Sequence, residues 1–169
     1  LSSITFGENV TSIGSYAFSN CSMLSSIIIP DSVTSIGEEA FNSCTSLLSI
    51  TFGENVTSIG SYAFISCSML SSIIIPTSVT SIGEGTFYDC SSLSSITFGE
   101  NVTSIGSYAF YRCSGLSSII IPTSVTSIGE DAFLNSGLTT VTIANGQLNI
   151  SSPEEDVDFF GTTVETVLP

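Results

Sequence analysis

The chain has 169 residues and a net charge of −14 at pH 7, with fifteen acidic side chains, one basic side chain and no histidine. That charge argues against a nucleic-acid binder, whose phosphate contacts need Lys and Arg, and against an anionic membrane surface. The length fits one domain, and the hydrophobic fraction of 42% is enough for a folded core. The sequence contains no run of about 20 apolar residues that could span a membrane.

The sequence lacks most of the side chains that enzymes commonly use for catalysis. Arg112 is the sole cationic side chain, because neither His nor Lys is present. Without them the chain cannot form a Ser-His-Asp or Cys-His arrangement, a Schiff base or a phosphate-binding loop with its lysine. We therefore predict that the protein is not an enzyme and uses no cofactor.

A 23-residue repeat runs through the chain. The segment Val-Thr-Ser-Ile-Gly recurs six times at this interval, and the cysteines keep the same step. Odd units read Ile-Thr-Phe-Gly-Glu-Asn where even units read Ile-Ile-Ile-Pro, so the larger unit spans two turns, or 46 residues. A fixed period of this length predicts a solenoid whose stacked units bury continuous apolar columns. The cysteines are Cys21, Cys44, Cys67, Cys90 and Cys113.

Within each unit the pattern predicts three elements in chain order. A short strand comes first, because Ile27 and Ile29 fall on one side of alternating side chains. Pro30 then ends the strand, since it has no N–H for a ladder. The Val-Thr-Ser-Ile-Gly segment supplies a second inward pair and ends at a glycine suited to a sharp turn. The Ala-Phe-x-x-Cys segment has the spacing of one short helical turn.

The period weakens after residue 140. We divide the chain, as a single domain, into six 23-residue repeats over 1–140 and a degenerate C-terminal repeat or cap over 141–169. Terminal repeats of solenoids are commonly atypical because they cap an open core, and we expect one last strand at 164–169. Since the chain opens inside a repeat at Leu1, we expect a piece of a longer protein. Its first turn is expected to leave an edge that can pair with another molecule.

The pattern L-x-x-I-x-I-P-x-x-V-x-x-I-G-x-x-A-F-x-x-C closely resembles the BspA-like leucine-rich repeats over nearly the whole chain. It departs from the general motif after the strand, where odd units place Asn9, Asn55 and Asn101 at the ladder asparagine but even units carry Ser. The resemblance implies a right-handed leucine-rich repeat solenoid with a parallel β-sheet on one face and short strands, turns and short helical turns elsewhere. It also implies adhesion to host or matrix proteins by a surface or secreted protein.

The cysteine column is expected to be buried and reduced. Adjacent turns bring Cα atoms to about 5 Å, but equivalent positions point their Cβ atoms in parallel, which suits a disulfide poorly. Ser136 stands at the sixth equivalent position, so a thiol is not required there. No His or C-x-x-C pair accompanies the thiols, and we expect no metal at this column.

Two further features have a structural alternative. An acidic cluster in the C-terminal stretch could bind calcium through hard oxygen ligands, but it lacks the D-x-D-x-D-G order, and a solvated flank is favoured. Five Asn-x-Ser/Thr sequons occur and could be glycosylated in a secreted eukaryotic protein. Three of them coincide with the turn of the repeat, where Asn suits the backbone conformation, and this structural role is favoured. The acidic cluster comprises Glu154, Glu155, Asp156 and Asp158.

Two surfaces are candidates for binding a partner. The first is an uncharged outward row of the sheet, beside a parallel row of Ser, and its β-branched residues could instead simply stabilise strands. This row is Thr5, Ile28, Thr51, Ile74, Thr97 and Ile120. The second follows the repeat Phe, where Tyr88 and Tyr111 fall on successive turns beside Arg112. Tyr and Arg are favoured interface anchors, although partial burial over the turn is the alternative role.

We therefore predict a non-catalytic protein-interaction or adhesion module. The family resemblance implies that the module is secreted or lies at a cell surface. An intracellular protein-binding scaffold is one alternative, and a carbohydrate-binding module that uses the Ser/Thr-rich sheet face is another. The expected partner is a protein, and the family resemblance implies a host or extracellular-matrix protein. We expect neither nucleic-acid binding nor membrane insertion. The exposed edge of the first turn could also allow the chain to associate with itself.

Overall fold

The computed structural model describes residues 1–143 and the strand at 149–150, which form a parallel β-solenoid. Each complete turn contributes two short strands, and no helix occurs in this part of the chain. Among the described residues there is accordingly no helix long and apolar enough to cross a membrane. The leucine-rich repeat solenoid predicted from the sequence is confirmed.

From the second turn to the sixth, the first strand runs through the Ser-Ile-Ile or Ser-Ile-Thr segment, and its side chains alternate between exposed and more buried positions. The last strand of this ladder has the sequence Thr-Val-Thr-Ile. The copies of the first strand pair in parallel two by two, so this first ladder is interrupted after every second turn. The paired strands are β2 (Ser26–Ile28) with β4 (Ser49–Thr51), β6 (Ser72–Ile74) with β8 (Ser95–Thr97), and β10 (Ser118–Ile121) with β12 (Thr140–Ile143).

A second parallel ladder, which the sequence analysis did not predict, runs through the Ser-Ile pair of each Val-Thr-Ser-Ile-Gly segment. Two residues are too few for the alternation of a strand to be recognised in the sequence. Partners stand 23 residues apart, as in Ser12 with Ser35, except at the last turn, where Ser127 pairs with Asn149. One sheet contains β1 (Ser12–Ile13), β3 (Ser35–Ile36) and β5 (Ser58–Ile59), and the other contains β7 (Ser81–Ile82), β9 (Ser104–Ile105), β11 (Ser127–Ile128) and β13 (Asn149–Ile150).

The third side of each turn runs from the glycine of Val-Thr-Ser-Ile-Gly to the cysteine position, residues 14–21 in the first turn, and is called the turn segment below. It was predicted to be a short helical turn, and that prediction is wrong in the described residues. The Cys21 N–H donates to the Phe18 carbonyl within the turn, but the Phe18 N–H donates to Ala40 of the next turn at 2.8 Å. Further N–H groups along the segment alternate in the same way. A helix would direct its N–H groups along its own axis, whereas this alternation leaves half of them to bind the neighbouring turn.

Two positions of each turn segment adopt the left-handed backbone region. Asn, Asp and Gly tolerate this region, but for other residues it costs about 1–2 kcal/mol each. The hydrogen bonds that hold the segment between its neighbours impose the conformation on Tyr and Arg as well. With φ between 50° and 61°, these residues are Tyr16, Asn20, Glu39, Ser43, Tyr62, Ser66, Gly85, Asp89, Tyr108, Arg112, Asp131 and Asn135.

The core consists of apolar columns that run along the stack. Leu, Ile, Val, Ala, Phe and Cys of successive turns form one contiguous buried cluster. The phenylalanine rings stack with centroids 5.2–5.6 Å apart, and each such pair adds about 0.5–1.5 kcal/mol beyond area burial. In the first turn Phe6, Val10 and Phe18 are only partly buried. The phenylalanine column comprises Phe18, Phe41, Phe64, Phe87, Phe110 and Phe133.

The stack is loosest between the third turn (47–69) and the fourth (70–92), where β4 does not pair with β6 and β5 does not pair with β7. A Cβ built on Gly83 would stand 3.4 Å from the Ile59 carbonyl oxygen, whereas one on Gly60 would meet backbone at 2.6 Å. Thr86 replaces the usual column alanine, and its buried hydroxyl donates to the Gly83 carbonyl at 2.9 Å. The turn segment still joins the two turns, because the Phe64 N–H donates to Thr86.

Candidate functional site

The outward row of the first ladder lies on the surface, as the alternation of the strand predicts. In β2 the side chain of Ile27 is buried, while Ile28 is exposed. Parallel pairing places Ile28 beside Thr51, and the same pairing recurs two turns later. The isoleucines of the row are 67–70% exposed. All six predicted residues, Thr5, Ile28, Thr51, Ile74, Thr97 and Ile120, are exposed, and their role in binding stays a prediction.

Three hollows open on this face, one at each junction where the first ladder is interrupted. They lie between residues 3–6 and β2, between β4 and β6, and between β8 and β10. Their volumes are about 340, 360 and 190 Å³. Neighbouring strands that share no ladder leave a gap between their side chains, and the hollows occupy these gaps.

The hollows are apolar with hydroxyl groups at the rim. The second hollow is lined by Thr51 and Phe52 of one turn and by Ser72, Ile74 and Pro76 of the next, together with buried isoleucines. The Phe52 ring is fixed in place because it packs edge-on against a core phenylalanine, with ring centroids 5.9 Å apart. No charged side chain lines any of these three hollows.

The sequence analysis missed the aromatic and proline residues that shape the hollows. They alternate from turn to turn, because Phe follows the Ser-Ile-Thr segment of odd turns, whereas Pro follows the Ser-Ile-Ile-Ile segment of even turns. The 46-residue superperiod was therefore the signal for a feature that recurs on every second turn. These residues are Phe6, Phe52 and Phe98 with Pro30, Pro76 and Pro122.

The second candidate surface is also assembled as its spacing predicts. The rings of Tyr88 and Tyr111 stack with centroids 4.7 Å apart. The Arg112 guanidinium lies 5.3 Å from the centre of the Tyr111 ring, within range of a cation–π interaction. Both tyrosines are half-buried and Arg112 is exposed, and the binding role of these three residues stays a prediction.

Two tyrosines of odd turns enlarge this surface. Tyr108 meets Tyr111 edge-on at 5.9 Å, and Tyr62 lies against Gly85, where a Cβ would collide with its ring. The Tyr62 hydroxyl donates to Glu84 at 2.5 Å, and this hydrogen bond raises the pKa of Tyr62 to about 12. The tyrosine patch is Tyr62, Tyr88, Tyr108, Tyr111 and Arg112. It belongs to the turn segment, so the structure does not unite it with the outward row.

The cysteine column is buried except at its first member, Cys21, which is half-buried. Each later thiol donates to the carbonyl of the preceding turn's Phe at 3.1–3.3 Å, as Cys44 does to Phe18. Burial raises the pKa of Cys44 to about 11 and that of Cys113 to about 12. The four later thiols therefore behave as small core residues with one hydrogen bond each.

We expect the buried thiols to resist alkylation in the native protein. At pH 8 Cys21 should react first with iodoacetamide, while the other four react only on unfolding, because the thiolate is the nucleophile. Mass spectrometry with and without denaturant measures the labelling, and equal labelling of all five native thiols would contradict the burial.

The raised pKa values of the buried thiols also predict that stability falls as pH rises above about 9. The thiols ionise at that pH in the unfolded chain but only at higher pH in the folded one.

The sequon asparagines of the second and third odd turns have a structural role. The side-chain amides of Asn55 and Asn101 donate to backbone carbonyls of Asp31 and Thr77 in the preceding turn, at 2.9 and 2.8 Å. In the described part of the chain, no group of three or more His, Cys, Asp or Glu could hold a metal. The calcium candidate at 154–158, the side chain of Asn149 and the last strand expected at 164–169 lie outside the described residues.

Comparison with known proteins identifies this architecture. The sequence pattern described as BspA type leucine rich repeat region matches in 6 copies, over residues 1–113 and 34–153. No curated protein matches the chain. Among solved structures, a leucine rich cell surface protein from Faecalibacterium prausnitzii A2-165 is 34% identical, with a TM-score of 0.61 over 86% of this chain and 47% of that one.

Two other solved structures show the same similarity. The pneumococcal vaccine antigen PcpA is 27% identical, with a TM-score of 0.71 over 86% of this chain and 40% of its own. The leucine rich repeat protein of T. pallidum is 28% identical, with a TM-score of 0.52 over 79% of this chain and 52% of its own. The chain thus spans about half or less of these proteins, and its repeats match the family pattern through most of its length. The chain belongs to the BspA-type leucine-rich repeat family.

Proposed function

We propose that this chain is a non-catalytic protein-binding module of a cell-surface or secreted protein, and that its partners are host or extracellular-matrix proteins. The observation that carries the proposal is the uncharged outward row, whose isoleucines are 67–70% exposed. A chain with a net charge of −14 keeps every acidic side chain off this row. The row therefore differs from its surroundings in the way that a contact surface does.

The energetics of the row suit a protein partner. Burial of one isoleucine side chain against a partner contributes about 1.5–3 kcal/mol, and the row offers Ile28, Ile74 and Ile120. The Ser and Thr hydroxyls between them can each donate or accept a hydrogen bond at the rim of a contact. Acidic side chains on the flanking turns, such as Glu54 and Glu100, repel acidic partners and favour neutral or basic ones.

The tyrosine patch provides a second contact area. Tyr88 and Tyr111 are already stacked and half-buried, so little side-chain freedom is lost when a partner covers them. The names of two relatives, a leucine rich cell surface protein and a pneumococcal vaccine antigen, support placement of this chain at a surface.

Substitution of the row's three isoleucines tests the proposal. The variant Ile28→Thr/Ile74→Thr/Ile120→Thr is expected to bind matrix proteins at least about tenfold more weakly, because it removes apolar contact area worth more than about 1.4 kcal/mol. Threonine already occupies this row on odd turns, so the fold should tolerate it. Biolayer interferometry against a panel of purified extracellular-matrix proteins, with serum albumin as reference, measures the binding.

The variant Tyr88→Ala/Tyr111→Ala reports on the other surface in the same assay. Weaker binding with unchanged thermal stability would assign the tyrosine patch to the contact, whereas unchanged binding would reject it. If wild-type protein binds no matrix protein, or if both variants bind as wild type does, the proposed function is wrong. Binding of a glycan array in the absence of any protein partner would favour a carbohydrate-binding module instead.

A further inference from the structure

We infer that the tyrosine patch binds an arginine-rich segment of the partner protein. Guanidinium groups of that segment would lie against the tyrosine rings and pair with carboxylates at their border. The inference rests on the proposed function and deepens it, because it names the chemistry of the partner at this second contact area. Three observations carry it: the closeness of tyrosines to acidic side chains, the near absence of cationic side chains on the same side of the solenoid, and the position of Arg112.

Tyrosines and acidic side chains share one side of the solenoid. All five tyrosines of the chain lie in turn segments, and those of odd turns lie next to acidic residues of the following turn. The Tyr16 hydroxyl donates to Glu39 at 3.4 Å, in the way already described for Tyr62. The negative charge of Glu130 is the main cause that raises the pKa of Tyr108 above its ordinary value. Negative charge beside a tyrosine ring therefore recurs on every second turn.

The acidic side chains of this side have almost no counter-charge within the chain. The turn segments carry six acidic side chains in the described residues but a single basic one, Arg112. The chain has no other Lys or Arg, so a further cationic side chain beside these carboxylates must come from another molecule. A neutral partner would cover them without pairing them, which is costly, whereas a basic partner supplies the missing charges. The six are Glu38, Glu39, Glu84, Asp89, Glu130 and Asp131.

Arg112 shows how a guanidinium is held on this surface. It lies 5.3 Å from the centre of the Tyr111 ring. Asp89 occupies the equivalent position of the preceding turn, yet no carboxylate of the described residues forms an ion pair with Arg112. The cationic side chain of the chain itself is thus held by a tyrosine ring. The neighbouring carboxylates are left without a cationic partner in the described part of the chain.

The geometry of the patch favours arginine over lysine. The rings of Tyr88 and Tyr111 stack at 4.7 Å and Tyr108 meets Tyr111 edge-on, so neighbouring rings hold one another in place. Tyr62 lies against Gly85, whose lack of a side chain makes room for the ring. A planar guanidinium stacks on aromatic faces and forms two parallel hydrogen bonds with a carboxylate, whereas the lysine ammonium is a compact, strongly hydrated point charge.

A labelled peptide tests the inference directly. A fluorescein-labelled peptide of six Arg-Ser units is expected to bind the chain saturably in fluorescence anisotropy at about 0.15 M NaCl, and at least about threefold more tightly than its Lys-Ser counterpart. The Tyr88→Leu/Tyr111→Leu variant is expected to bind the arginine peptide at least about tenfold more weakly. Tyr88→Phe/Tyr111→Phe keeps both rings and should stay within about twofold of wild type. Circular dichroism checks the fold of each variant.

Paired charge variants separate this site from a general attraction between opposite charges. Glu84→Gln/Glu130→Gln removes two charges beside the tyrosine rings and should weaken binding of the arginine peptide about tenfold. Glu54→Gln/Glu100→Gln removes the same charge from the turn after the first strand, and should weaken binding less than about threefold. All four glutamates are exposed, so the fold should tolerate both variants.

Arg112 provides a third test with the opposite sign. The Arg112→Gln variant vacates the ring of Tyr111 and removes a like charge, so it should bind the arginine peptide at least about twofold more tightly. Weaker binding by this variant would mean that Arg112 itself contacts the ligand, and it would overturn the inference.

The outcomes separate this inference from the proposed function. Equal binding of the arginine and lysine peptides, or equal losses in the two glutamate variants, would show a general charge effect and overturn the inference. If neither basic peptide binds while matrix-protein binding still depends on the outward row or on the tyrosines, the inference fails and the proposed function stands. If the arginine peptide binds at the patch but no matrix protein binds the chain, arginine recognition stands and the proposed function is wrong.

Discussion

Replacement of Phe87 with alanine is expected to lower the free energy of unfolding by about 3–5 kcal/mol. Phe87 is fully buried and stacks on Phe64 at 5.6 Å and on Phe110 at 5.4 Å. The substitution removes the burial of one ring and both stacking contacts, and it leaves a cavity. The neighbouring turns cannot collapse into that cavity easily, because backbone hydrogen bonds of the turn segment fix their separation. Denaturant unfolding followed by circular dichroism measures the change.

Phe18→Ala is the matched control for this prediction. Phe18 occupies the same repeat position, but it is only partly buried and has one neighbour in its column, Phe41. Its replacement should therefore cost less than half as much. A loss below about 1 kcal/mol at Phe87, or equal losses at the two positions, would show that the stacked column is not a main source of stability.

Replacement of Gly99 with alanine is expected to destabilise the protein by about 1–3 kcal/mol through overpacking. A Cβ at this position would lie 2.5 Å from the Pro76 carbonyl oxygen and 2.8 Å from the Thr77 Cα. Both obstacles are backbone atoms of the preceding turn, so no side-chain rotation can relieve the clash. The two turns would have to separate, and the midpoint of thermal unfolding should fall.

The chain contains its own control for this substitution. Gly7 has the same repeat position as Gly99, but nothing lies within 4 Å of an added Cβ. Gly7→Ala should change stability by no more than about 0.5 kcal/mol, whereas Gly53→Ala, which faces Pro30 at 2.5 Å, should behave like Gly99→Ala. Equal costs at all three positions would mean that backbone conformation, and not the close approach of turns, requires glycine.

The sequence predicts the features that depend on its periods. The 23-residue step identifies the stacked columns, and the two-residue alternation around Ile27 assigns the outward row. Repetition strengthens both signals, because each position is read six times. The stacking of Tyr88 on Tyr111 follows from the same step, since equivalent side chains on successive turns must be neighbours.

The features that the sequence does not predict depend on contacts between turns. The Ala-Phe-x-x-Cys spacing is compatible with a helix, and only the hydrogen bond from Phe18 to Ala40 shows that the N–H groups are shared with the next turn. Likewise, the hollow between Phe52 and Pro76 exists because β4 and β6 do not pair. The pairing alternates with the 46-residue superperiod, so the sequence marks a feature of every second turn, but the packing of neighbouring turns decides which junctions pair.

The loose junction between the third and fourth turns has a mechanical consequence. At the other described junctions at least one strand ladder joins the two turns in addition to the turn segment. Between the third and fourth turns no strand ladder does, so tension along the solenoid axis falls mainly on the turn segment, with two further backbone hydrogen bonds, from Ser71 to Leu48 and from Ser92 to Ser68. Thr86, with its hydroxyl bonded to Gly83 of its own turn, replaces the alanine found elsewhere in its column. Under load the described array would extend first at this point, as two stiff blocks joined by one compliant link.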